Sequence, residues 1–186
     1  VTVTDTSAAA ADLNTVDGRT SVAIDATAAT TITGTAAAIV TAAQSGTINT
    51  AANYAATVNS GTASVAQAII LDADTTGVVT ATITEGGLAT LTTLTDVNDN
   101  NALTVTVTDT SAAAADLNTV DGITTVAIDA TAATTITGTA AAIVTAAQSG
   151  TINTAANYAA TVNSGTASVA QALILDGDTT GVITAT

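Results

Sequence analysis

VTVTDTSAAAADLNTVDG, residues 1–18, returns letter for letter at residues 105–122. The identity does not stop there. Residues 1–82 align without gaps on 105–186, an offset of 104, and only five positions differ: Arg19/Ile123, Ser21/Thr125, Ile69/Leu173, Ala73/Gly177 and Val79/Ile183. The chain therefore reads as one full unit, 1–104, followed by most of a second, 105–186, with no linker between them. Repetition this strict points to an array in which each segment needs the same neighbours in the same places.

A finer period lies inside the unit. TSAAAADLNTV from Thr6, GTAAAIVTAAQ from Gly34, GTASVAQAIIL from Gly61 and EGGLATLTTLT from Glu85 share an Ala-, Leu-, Ile- and Val-rich pattern, and the next copy starts at Thr110. The mean spacing is about 26 residues, within the range typical of solenoids. Ser7, Thr35 and Thr62 are N-cap types, so these segments are predicted to be short helices. Leu13 and Val16, Ile39 and Ala43, Val65 and Ile69, and Leu88, Leu91 and Leu94 recur at helical spacing, with Gly18, Gly46 and Gly77 as stop signals. The three-residue spacing in LATLTTL fits either α or 3₁₀ geometry.

Between them run VTVTD (1–5), TSVAID (20–25), NYAATVN (53–59), GVVTATIT (77–84) and ALTVTVTD (102–109). Their alternation of apolar residues with Thr is the period of a half-buried strand, with Val1, Val3, Val22, Ile24, Val79 and Ile83 facing inward. One strand and one short helix in each period predict an α/β fold. The expected form is a repetitive parallel β/α-solenoid, leucine-rich-repeat-like, with four coils per 104-residue unit rising roughly 19 Å. Tandem Ig- or cadherin-like sandwiches and an all-β solenoid are the alternatives.

Composition narrows the chemistry. Thr and Ala make up nearly half of the 186 residues; Cys, His, Met, Pro, Trp, Phe and Lys are absent, and Arg19 is the only base against fifteen acids, a net charge of −14. Thiolate, haem and zinc sites lose their usual ligands, and a hydrolytic triad loses its usual base. The chain is read as non-enzymatic. One cation offers no footing for nucleic acid. No stretch approaches the roughly 20 apolar residues of a membrane span, so membrane insertion is not expected. A signal peptide is expected to be absent or to lie outside these residues.

VTVTDTSAAAADLNTVDG, TTVAIDATAATTITGTAAAIVTAA and SGTASVAQAIILDADTTGVVTATI together resemble the Ala/Thr-rich repeats of very large secreted cyanobacterial surface proteins of the hemolysin-type, calcium-associated class. The resemblance implies secretion and a surface or adhesive role. The GGxGxDxUx nonapeptide of that class is missing, so calcium binding does not carry over from it.

Oxygen ligands suit a hard cation such as Ca²⁺. Asp5, Asp25, Asn59, Glu85, Asp109, Asp129 and Asn163 fall at or near predicted strand ends, where stacking would make a ladder about 5 Å apart. Capping by a following helix start is the simpler reading of such positions. DVNDNN, with Asp96, Asn98 and Asp99, is similar to the DxNDN calcium-linker phrase of cadherins, although Asp/Asn clusters are also ordinary turn chemistry. LDAD (71–74) and LDGD (175–178) read as solvated acidic loops. Outward Thr-x-Thr rows suit a wet sheet face or an ice-binding array. Tyr54 and its counterpart Tyr158 are expected to fill the core or lie under a turn. These features suggest a structural module of a long extracellular fibre, stalk or surface layer that associates with further copies. A calcium-dependent adhesin repeat or an ice-binding face is the competing class.

Overall fold

The computed structural model describes residues 1–185, which fall into two units. The first comprises Val1–Thr84 and Leu94–Thr104; the second comprises Glu85–Thr93 and the residues from Val105 on. The elements of the first repeat are β1 (Ser7–Ala9), α1 (Ala10–Asp17), β2 (Ile24–Ala26), β3 (Thr31–Gly34), α2 (Ala36–Ala43), β4 (Ile48–Thr50), β5 (Ala55–Val58), α3 (Val65–Asp74), β6 (Val79–Thr82), α4 (Leu88–Leu91) and β7 (Ala102–Thr104). The second repeat gives β8 (Ser111–Ala113), α5 (Ala114–Asp121), β9 (Ile128–Ala130), β10 (Thr135–Thr139), α6 (Ala140–Gln148), β11 (Ile152–Thr154), β12 (Ala159–Ser164), α7 (Val169–Asp178) and β13 (Ile183–Thr184).

Every strand pair among the described residues is parallel. The first unit holds the sheet β1-β3-β5-β6-β7 beside the pair β2-β4; the second holds β8-β10-β12-β13 and β9-β11. Ser7 pairs with Thr31, Thr31 with Ala55, Ala56 with Val79 and Thr80 with Ala102, a nearly constant offset along the chain. Helices start at residues 10, 36, 65 and 88, and again at 114. The fold is α/β with parallel sheets. The antiparallel sandwich and the helix-free alternatives do not describe it.

Local sequence explains much of this. Ile24, Ile32, Ala56 and Val79 are buried on the inner faces of the sheets, and Thr occupies the outer positions. Ser64 accepts from the Gln67 N–H at 3.2 Å while the Gln67 side-chain oxygen takes the Ser64 N–H at 3.0 Å, a capping box that starts α3. Thr35 caps α2, in line with its N-cap reading. Thr62 does not cap a helix, because α3 begins only at Val65 and takes Ser64 as its cap.

Several expectations fail for one reason: pairing with a neighbour outweighs local propensity. Ser7 is not an N-cap, since SAA of β1 lies in register with Thr31–Thr33 and the helix begins only at Ala10. VTVTD forms a single bridge, Thr2 to Asp25, instead of a strand. Val1 and Val22 are 55% and 64% exposed, not inward, because both precede the paired segment. Two strands lie outside the predicted runs: TITG (β3), whose alternation is hidden behind ATAAT, and INT (β4). The LATLTTL segment yields one helical turn, with Leu88, Leu91 and Leu94 all buried.

Side chains tie successive segments together within each unit. The Asn14 amide donates to the Ala38 carbonyl at 2.9 Å, and its counterpart Asn118 to Ala142 at 3.0 Å. Asp17 accepts from the Thr47 and Ser45 hydroxyls at 2.7 and 3.1 Å. The Thr75 hydroxyl donates to the Tyr54 carbonyl and accepts the Gly77 N–H. Each such bond contributes roughly 1 kcal/mol net, and their recurrence from one segment to the next holds register.

Candidate functional site

The strand-end carboxylates do not form a ladder. Asp25 lies in register with Asn49 on one side and Thr2 on the other, and Asp129 with Asn153 and Thr106. The offset that pairs Ser7 with Thr31 and Ile24 with Ile48 is longer than the step from Asp5 to Asp25, so the expected neighbours slip past one another. Asp25 Oδ1 accepts from the Thr27 hydroxyl at 2.6 Å and its N–H at 3.2 Å. Asp129 does the same with Thr131, at 2.6 and 3.0 Å. The hydroxyl first, then the amide, hold both carboxyls below the ordinary aspartate value.

Asp109 accepts the N–H of Leu88, the first residue of α4, at 2.7 Å. Asp5, its counterpart, lines an open groove of about 500 Å³ with Val3, Ser7, Asp12, Leu13 and Val16. In DVNDNN, Asp96 closes the turn by accepting the N–H groups of Asn100 and Asn101, both at 3.1 Å. Asp99 takes a left-handed backbone, φ 54°, and with Asn98 forms the body of that turn. Among the described residues, no three acidic side chains converge into a metal-sized cluster.

The most enclosed polar constellation is elsewhere. Asp72, in the LDAD segment, is not a loop residue: it lies on α3 and is 3% exposed. Its carboxylate accepts from the Thr95 hydroxyl at 2.6 Å, the Val97 N–H at 3.3 Å and the Asn101 amide at 2.9 Å. Asn101, also buried, returns an acceptor to the Val79 N–H at 3.3 Å. Helix α3, the turn after α4 and strand β6 thus meet around one carboxylate. The signal is present in the sequence: Val65, Ala68 and Asp72 recur at helical spacing, which carries the pattern through LDAD instead of stopping before it.

Tyr54 and Tyr158 fill the core, with hydroxyls donating to Asp74 and Asp178 at 2.7 Å. Burial, reinforced by the carboxylate partner, drives both phenols well above the usual tyrosine value. On the outer sheet face a threonine row runs through Thr33, Thr57 and Thr80 in direct register, and a second through Thr137, Thr161 and Thr184. Ala9 and Ala102 bound the first row.

No protein-family model, curated protein or solved structure matches this chain.

Proposed function

We propose that this chain is a structural repeat module, a parallel β/α-solenoid with four coils per 104-residue unit, serving as part of a long extracellular fibre, stalk or surface layer and associating with further copies. The observation that carries the reading is the nearly constant parallel register, Ser7 to Thr31 to Ala55 and Thr80 to Ala102, combined with near-identical repeats. Such stacking makes each coil depend on its neighbours and lets length grow by adding units. The polar groups support it, since the buried carboxylate, Asp72, is used to join segments rather than to face a cleft. An acidic surface with Arg19 as its only base keeps such a body soluble and offers trypsin one site.

Negative-stain imaging of the native material tests this directly. Extended particles with an axial repeat of roughly 19 Å per unit are the expected result; compact monodisperse particles refute it. Melting in Ca²⁺ and in EGTA addresses the adhesin alternative. The carboxylates of Asp25, Asp96, Asp109 and Asp129 already accept hydrogen bonds, so the structural reading expects no shift.

The threonine rows favour one second reading, an ice-binding face, because their hydroxyls repeat at the strand spacing. Faceting of ice crystals in the presence of the chain, abolished by Thr57→Val with Thr80→Val, would support it.

A further inference from the structure

The two repeats act as an internal control, since the same residues stand in two environments. Val65 is 4% exposed, but its counterpart Val169 is 79% exposed. Val79 is fully buried, whereas Ile183 is partly open, and Val182 stands 71% exposed. Asp72 is buried under Thr95, Val97 and Asn101, whereas Asp176 is exposed on the same face of its helix. Leu173 adds a further 67% exposed apolar side chain beside them. The face formed by α7 and β13 is therefore apolar, bordered by one acceptor, and open.

What covers the corresponding face within the first unit is known from its own residues. The segment Leu94–Thr104 packs there, its strand β7 pairing with β6 and its Asn101 reaching Asp72. The preceding half of the same coil, Glu85–Thr93, belongs to the second unit, where α4 packs on α5 and the Leu88 N–H is capped by Asp109. There Val105 is 1% exposed and Val120 fully buried. Their counterparts at the start of the chain, Val1 and Val16, are 55% and 36% exposed. One coil, residues 83–104, thus carries the two half-surfaces that the open faces lack.

We propose that the α7–β13 face is a docking site for one further coil with the sequence pattern of residues 83–104, joined in the same chain direction. The coil would act as an adaptor between successive copies of the 1–82 block. Its requirements are chemical: a strand to pair with β13, leucines to cover Val169 and Leu173, and a Thr-Asp-Val…Asn turn to satisfy Asp176. This rests on the stacked-coil reading above, but its test does not depend on fibre formation.

The test appends a copy of residues 83–104 after Thr186 and follows amide exchange of α7, with the unextended chain and a scrambled appendage of equal composition as references. The expected result is that the true copy slows α7 exchange by at least about ten-fold and raises the melting temperature. Replacing the appended counterpart of Asn101 by Leu, or Asp176→Ala in the extended chain, should reverse most of that protection. In the unextended chain, Val169→Ser with Leu173→Ser should leave stability unchanged, which separates docking from folding. Equal α7 exchange with true and scrambled appendages overturns the proposal. So does an unextended chain that sediments as a dimer with α7 already protected, because the occupant would then be a second copy. Failure of the material to form fibres would refute the functional reading while leaving this result intact.

Discussion

Asn101 donates its amide to the buried Asp72 carboxylate at 2.9 Å across 29 residues of chain. The pair joins the turn after α4 to the C-terminal half of α3, and both residues are shielded from solvent. A carboxylate this enclosed persists only because several donors converge on it.

Asp72→Ala is therefore expected to be costly. It leaves the Asn101 amide, the Thr95 hydroxyl and the Val97 N–H short of their acceptor, and should destabilise the chain by about 2–3 kcal/mol. Asp176→Ala, the same change at the exposed counterpart, should stay within about 0.5 kcal/mol of wild type. Urea unfolding of the two variants side by side decides the point. Equal losses would mean that the network in the first unit contributes nothing of its own.

The buried tyrosines set a limit at high pH. Their folded-state values lie above the ordinary tyrosine value of 10.0, first because of burial and then because of Asp74 and Asp178. A raised value means the folded chain keeps a proton that the unfolded chain has released, so stability is intact below about pH 10 and falls as pH rises past it. Urea midpoints measured from pH 8 to 11 should decline above pH 10, and Tyr54→Phe with Tyr158→Phe should flatten the decline. A wild-type midpoint constant to pH 11 would contradict the assignment.

Capping offers changes of either sign. Ser64→Ala removes the side-chain acceptor for Gln67 at the start of α3 and should cost about 1 kcal/mol. Ala9 occupies the equivalent position before α1 in an extended conformation, φ −79° and ψ 126°, with no side-chain cap. Ala9→Ser should stabilise by roughly 0.5–1 kcal/mol, read as a higher melting temperature. A loss on Ala9→Ser would show that the pairing of β1 with β3 does not tolerate the hydroxyl.

The sequence carries the class of fold plainly, because repetition and the alternation of Thr with apolar residues are long-range signals. It carries the strand ends poorly. TITG and INT are short strands whose existence depends on partners a whole coil away, Ser7–Ala9 and Ala55–Val58 for one and Ile24–Ala26 for the other. VTVTD shows better alternation than either, yet makes only one bridge in the first unit. The candidate cation residues are legible as turn chemistry, and Asp25 and Asp96 accept hydrogen bonds within their own turns. Asp72 escapes a local reading because an acidic pair after a leucine run looks like a solvated end. Its burial follows from Asn101, 29 residues on, which no local pattern announces.

Gly77 separates steric need from habit among the glycines. A Cβ built there would collide with the Tyr54 carbonyl and lie 2.6 Å from the Asn53 carbonyl oxygen, both backbone atoms that cannot swing aside. Thr75 already uses that Tyr54 carbonyl as an acceptor, so moving the strand away would break a second contact. Gly77→Ala should therefore destabilise by about 3 kcal/mol or more, and Gly181→Ala should do the same at Tyr158. Gly46 has no heavy atom within 4 Å of the corresponding position, and its backbone is not left-handed. Gly46→Ala should be neutral or slightly stabilising through the unfolded chain. Thermal unfolding of the three variants is sufficient. A Gly77→Ala chain that melts with wild type would show that the approach of the loop after α3 to Tyr54 is not required for the packing of β6 on β5.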